Sequence, residues 1–217
     1  GTFTSAHTVI GNDAADATLT INGGTFTCNG DDQYSTHAVY SEAGTTTING
    51  GEFDGNGYNV WVDDAATVNI YDGNFKETNS GSFNTDKGTI NVMGGFYYDD
   101  PTARVATGYL TIEINPTLYT VMKGSVENGV NTYVIEDTFD LSAFSKIVDK
   151  GATFEGDVVK LTEDITLPEE NWNPIGDNRT DTAFSGTFDG QNHTISGAKI
   201  TGSSCFNGAV YGSKEGW

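Results

Sequence analysis

Two sets of side chains in this sequence have the type and spacing to do chemistry. The first is carboxylate: Asp13 and Asp16, Asp63 and Asp64, and Asp86 each stand just ahead of a strand-like segment rich in Val, Ile and Thr. If those segments stack as turns of one repeat, the acids share a corner on successive rungs, on the order of 5 Å apart. Carboxylates that close repel unless water, salt or a cation screens them, and calcium is the ion such a corner would hold. The alternative is turn-forming aspartate facing solvent. The second set is aromatic: Tyr40 and Trp61 follow Val39 and Val60 in equivalent positions, so if the valines point inward the rings point outward from neighbouring rungs. A Trp beside a Tyr offers a flat apolar surface suited to the apolar face of a sugar, with Asp31, Asp32, Asp63 and Asp64 as acceptors for its hydroxyls. The competing expectation is that a loop, a neighbouring domain or another subunit covers the rings.

Other reactive residue types are present without the company that chemistry needs. His7, His37 and His193 lack a Cys or His partner at metal-ligand spacing and read as structural or exposed. Cys28 and Cys205 lie too far apart in sequence for a metal knuckle or a dense disulfide framework. Ser, His and Asp occur, but no nucleophile motif accompanies them, so no catalytic residue is assigned.

Charge narrows the partners. Ten Lys and Arg against 30 Asp and Glu give a net charge of −20. The first Lys or Arg is Lys76, and ten acids precede it. A phosphate backbone, an anionic membrane or a polyuronate would each meet repulsion along that stretch. No apolar run approaches the roughly 20 residues of a membrane-spanning helix, so direct membrane insertion is not expected.

The acids and rings are positioned by a repeat. Leu19-Thr20-Ile21-Asn22-Gly23-Gly24-Thr25-Phe26 recurs as Thr46-Thr47-Ile48-Asn49-Gly50-Gly51-Glu52-Phe53 and as Val68-Asn69-Ile70-Tyr71-Asp72-Gly73-Asn74-Phe75. Weaker copies run from Ile90 to Phe96 and from Ile112 to Leu118. The anchors Ile21, Ile48, Ile70, Val92 and Ile114 are separated by 27, 22, 22 and 22 residues. Short alternating segments with glycine corners at that period predict one β-helix coil per repeat, stacked through parallel ladders. Phe3, Phe26, Phe53, Phe75, Phe96 and Leu118 should then form one inward stack. Val39, Val60, Phe83 and Val105 should form another. The long first interval places an insertion at residues 27–36, on a face that is itself a candidate binding surface. Gly1-Thr2-Phe3-Thr4 repeats Gly24-Thr25-Phe26-Thr27, so the sequence is expected to open within a repeat and to continue upstream.

Past Phe96 the pattern changes. Tyr119-Thr120-Val121 and Tyr133-Val134-Ile135, joined through Glu127-Asn128-Gly129, predict a hairpin that caps the coils. Leu141, Phe144, Ile147 and Val148 share a helical face, with Asp140 as cap and Gly151 as stop. Two domains are expected: residues 1–137, a parallel β-helix with its cap, and residues 138–217, a helix-capped start of a second β-helix that continues beyond the given sequence.

The TINGG-F and VNIY-x-G-x-F repeats, the run from Phe96 to Tyr109, and the segments Trp172 to Gly176 and Phe184 to Gly197 resemble right-handed parallel β-helix surface proteins of gut bacteria and their phages, within the pectate-lyase-like superfamily. The resemblance implies an all-β fold and an extracellular, cell-surface or virion-surface location. It also implies a noncatalytic adhesin or spacer, with a glycan or a host or cell-surface protein as partner and oligomers allowed. A structural or assembly segment of a fibre is the alternative, and a polysaccharide-degrading enzyme the third. Asn84-Thr85-Asp86 matches a short motif of polygalacturonase-like enzymes, but their Gly-His-Gly and Arg-x-Lys companions are missing.

Overall fold

A computed structural model describes residues 1–32, 35–63, 65–85, 87–168, 172, 175 and 183–199. Its described residues form a mostly β solenoid, as the repeat predicts. Two compact units are present: Gly1–Thr107 with Pro116–Val121, and Gly108–Asn115 with the described residues from Met122 onward.

In the first unit each coil contributes short strands to two parallel ladders. One ladder holds β1 (Thr2–Ser5), β3 (Thr18–Ile21), β4 (Thr25–Cys28), β6 (Thr45–Asp54), β8 (Thr67–Phe75), β10 (Thr89–Val92) and β11 (Phe96–Tyr97). The other runs β2 (Ile10–Asn12), β5 (His37–Ser41), β7 (Tyr58–Val62), β9 (Phe83–Thr85). Thr, Val, Ile and Phe favour these pleated segments because β-branched and aromatic side chains pack well on them. Between the ladders lies the core. Ile48, Phe53, Val60, Val68, Ile70 and Phe75 are fully buried.

The aromatic stack forms with one change of membership. Phe3, Phe26, Phe53 and Phe75 align in register, their rings 4.8–5.2 Å apart and within 12° of parallel. The next ring is Tyr97, 4.8 Å from Phe75. Phe96 pairs with Asn74 instead, so the expectation that it joined the stack is corrected. The anchor explains it: Val92 to Tyr97 is the same interval as Ile70 to Phe75, whereas Phe96 follows directly on the Gly-Gly pair, without the intervening residue that Thr25 and Glu52 provide in earlier coils. Burial and the nearby Asp72 hold the Tyr97 hydroxyl well above its ordinary pKa, and it donates to the Gly94 carbonyl at 2.6 Å.

Three further expectations are corrected. Leu118 does not extend the stack, because β13 (Leu118–Glu127) turns back and runs antiparallel to β11, pairing Thr120 with Phe96. The weak copy from Ile112 is accordingly not a rung. It lies in β12 (Tyr109–Asn115), which pairs with β13 across only Pro116 and Thr117, a link too short for a parallel crossover. Val105 bridges Val92 rather than following Phe83. Its place in the second column is at the other end, where Ile10 aligns with Val39.

The second unit contains a hairpin at the predicted turn, with a different first arm. Gly124–Glu127 of β13 pairs antiparallel with β14 (Val130–Ile135), whereas Tyr119 and Thr120, expected in that arm, pair with β11 instead. Asn128 and Gly129 occupy the turn with φ of 52° and 84°, the left-handed pair that a two-residue hairpin loop requires. The helix α1 (Thr138–Asp149) follows, and β15 (Val158–Leu161) and β17 (Thr187–Asp189) stack in parallel on β14. A second short parallel pair is β16 (Ile165–Thr166) with β18 (Ile195–Ser196). Leu141, Phe144, Ile147 and Val148 are buried, as their spacing predicts. The cap is Asp137 rather than Asp140: its carboxylate accepts from the Phe139 and Asp140 N–H groups at 2.8 and 2.9 Å. Asp140 instead accepts from the Glu136 N–H at 3.0 Å. Asp137→Ala is expected to cost about 1 kcal/mol of stability, whereas Asp137→Ser retains most of it. Urea denaturation of the two variants checks this.

Candidate functional site

The strands β5 and β7 bring the predicted rings together. Tyr40 and Trp61 are register partners, both half-buried, and their rung neighbours on either side are Gly11 and Asn84. Strict alternation would send His37 and Tyr58 inward, opposite to Tyr40 and Trp61. It fails because consecutive residues turn into the core: Ala38 and Val39 on one rung, Asn59 and Val60 on the next, all fully buried. His37, itself only 6% exposed, and the half-buried Tyr58 therefore lie on the side of Tyr40 and Trp61. The His37 ring stacks on Tyr40 at 5.7 Å and meets Trp61 edge-on at 4.8 Å. Tyr58 meets Trp61 edge-on at 5.3 Å.

Polar atoms fix this cluster. The Tyr40 hydroxyl donates to Asp63 Oδ2 at 3.1 Å, and Thr8 Oγ1 lies 3.2 Å from His37 Nδ1. The Trp61 indole N–H is buried and bonds to no described residue. A donor left unpaired away from water carries a desolvation cost. Rings held by edge contacts and a carboxylate already oriented can together stack on an apolar sugar face and bond its hydroxyls.

No protein family, no curated protein and no solved structure matches the chain. The reading of the site therefore rests on its geometry.

The acidic corner is drawn differently from the sequence expectation. Asn12, Ser41, Val62 and Thr85 are in register, so the residues that follow them begin one corner line: Asp13, Glu42 and Asp63. Backbone bonds continue the line, with Glu42 N–H donating to Asn12 and Asp63 N–H to Ser41, each at 2.8 Å. Glu42 is a member that counting aspartates misses. Asp16 lies three residues beyond Asp13 and is exposed, and Asp64 and Asp86 fall outside the described residues. Among the described residues no group of three or more His, Cys, Asp or Glu is arranged to hold a metal ion.

Asp31 and Asp32 occupy a different corner, the insertion between β4 and β5, and both are exposed. Asp32 closes its own turn, accepting from Ser35 Oγ at 2.7 Å, while its carbonyl takes the Thr36 hydroxyl at 2.6 Å. Beside the start of this insertion lies an open polar groove of about 550 Å³, lined by Thr27, Asn29, Asp54, Asn56, Glu77 and Asn79. Asn79 donates to Asn56 at 2.6 Å and Asn56 to the Gly30 carbonyl at 2.5 Å, so the amides there are engaged with one another. Cys28 is a buried free thiol against the His7 carbonyl, while Cys205 lies outside the described residues. In the second unit a pocket of about 330 Å³ is lined by Glu113, Asn131, Tyr133, Phe154 and Asp157, among others. Burial pushes the Asp157 carboxyl up, with an Asn131 hydrogen bond opposing it, and raises Tyr133 well above an ordinary phenol.

Proposed function

We propose that this chain is a noncatalytic module of a surface-displayed or secreted protein that binds carbohydrate through the β5–β7 face. The observation that carries the reading is the pairing of Tyr40 and Trp61 on adjacent rungs, flanked by His37 and Tyr58. Aromatic rings beside oriented polar groups suit sugars, whose rings carry an apolar face and a rim of hydroxyls. Strong net negative charge favours neutral or cationic glycans over acidic ones.

A glycan array probed with the wild-type chain and with Trp61→Ala tests this. The variant is expected to lose at least about tenfold in affinity, as truncating a Trp anchor costs a binding site 2 kcal/mol or more. A chelator arm assigns the acidic corner: if binding falls on chelation and returns with calcium, that corner supports the site. Failure of the wild type to bind any glycan would overturn the proposal in favour of a spacer or assembly role.

A further inference from the structure

A second regular surface of the first unit lies on the other ladder. Strands β3, β6, β8 and β10 pair in parallel with Thr18, Thr45, Thr67 and Thr89 in one line. Two residues on, Thr20, Thr47, Asn69 and Asn91 form a second line. The side chains between the lines turn inward, with Thr46 and Val68 fully buried and Ile90 nearly so. The outward groups thus form a grid of about 4.8 Å between rungs and about 6.6 Å along each strand. The amides are ordered, since Asn91 donates to Asn69 at 2.9 Å and, one step further along, Asn49 donates to Asn22 at 2.8 Å. Tyr71 emerges at the rim on the third rung, 40% exposed.

Every residue of this grid is uncharged, in a chain of net charge −20. Asp72 stands at the edge of the grid, in register with Asn49, so an anionic ligand would be repelled there, and the grid's own threonines and asparagines offer a charged ligand no ion pair. A second protein would find too little of it: four rungs by two or three outward positions amount to a few hundred Å², below the roughly 800 Å² per partner of a stable protein interface. A linear polymer with a hydroxyl-bearing unit repeating at a length close to the rung spacing meets one rung per unit. An extended pyranose chain has that form. We propose that the β3–β6–β8–β10 face binds an extended, uncharged polysaccharide lying across the rungs, with its hydroxyls exchanging hydrogen bonds with the threonine and asparagine lines and the unit over the third rung bordered by Tyr71. This rests on the carbohydrate-binding reading for the class of ligand, but it uses a face separate from Tyr40 and Trp61.

Affinity electrophoresis through gels containing a soluble β-glucan, a galactomannan or polygalacturonate decides it. The proteins are the wild type, the double variant Thr45→Lys/Thr47→Lys, the double variant Thr45→Ser/Thr47→Ser, and Trp61→Ala, each first shown by circular dichroism and melting to be folded. The inference expects retardation by a neutral polymer that is unchanged between low and high salt, since uncharged contacts are not screened. It expects loss of about tenfold or more in the lysine variant, retention in the serine variant, and retention by Trp61→Ala. Retardation abolished by Trp61→Ala but kept in the lysine variant would overturn this inference and leave the aromatic site standing. Retardation by none of the polymers would overturn it as well, while the glycan array still judges the aromatic site. Self-association of the wild type that the lysine variant lacks would also overturn it, assigning the face to a second copy.

Discussion

Phe53→Ala is expected to destabilise the first unit by about 3–5 kcal/mol, the range for emptying a packed phenylalanine site. Phe53 is fully buried and sits between Phe26 at 5.2 Å and Phe75 at 4.8 Å, so truncation removes contacts to two rungs at once. Both neighbours are strands of a ladder fixed by backbone bonds, which limits how far they can close on the void. Phe53→Leu fills most of the volume and is expected to lose much less. Phe3→Ala provides the contrast, because Phe3 is 52% exposed and stacks on one side only. Urea unfolding followed by Trp61 fluorescence, with Trp172 and Trp217 replaced by Phe, reports on this unit. A loss below about 1 kcal/mol for Phe53→Ala, against this range, would mean that the stack is not where the coil derives its stability.

The repeat makes most of this fold legible in the sequence. A spacing of 22 residues fixes rung length, and the five-residue step from Ile48 to Phe53 and from Ile70 to Phe75 fixes which ring enters the stack. Phe96 misleads because it is a phenylalanine one residue too early: the aliphatic anchor Val92 and the glycine pair, at the same offsets as in the earlier coils, both point to Tyr97. The site was legible only in part. Tyr40 and Trp61 were found because each follows an inward valine, but His37 and Tyr58 were hidden by an assumption of strict alternation. Two successive inward residues, Ala38 with Val39 and Asn59 with Val60, reverse the facing at a corner, and one chain's sequence carries no separate mark of that. The matching three-residue intervals from His37 to Tyr40 and from Tyr58 to Trp61 were the available signal. Hydrogen bonds across rungs, such as Tyr40 to Asp63, depend on register between coils and emerge only with it. The same limit applied to the chain past Val92, where the period continues in sequence while β12 and β13 turn back on themselves.

Asn59→Ala is expected to have the second large effect, about 2–4 kcal/mol, because it removes two bonds and strands two backbone groups. Asn59 is fully buried, and its side chain joins parts of the chain that no ladder bond connects. Oδ1 accepts the Gly55 N–H at 2.9 Å, and Nδ2 donates to the Lys76 carbonyl at 2.7 Å. The corner has no room for a substitute built from the backbone, since a Cβ on Gly55 would lie 1.9 Å from the Tyr58 carbonyl oxygen. Asn59→Asp separates the two bonds. Ionised, it keeps an acceptor for Gly55, loses the donor to Lys76 and buries a charge, so at neutral pH it should be at least as damaging as alanine. Protonated, it regains an O–H that can donate to Lys76. Burial raises the carboxyl's folded pKa above its unfolded value, so the folded state takes up the proton first and stability increases as pH falls through that raised pKa. Asn59→Asp should therefore recover relative to Asn59→Ala on acidification, and parallel urea curves at two pH values measure the difference. The residue stands between Tyr58 and Trp61 on β7, so loosening its corner moves the rings that the aromatic site depends on. Asn59→Ala is accordingly expected to weaken glycan binding at temperatures where the unit remains folded, and unchanged binding in a folded variant would show that the ring geometry is held by the ladder alone.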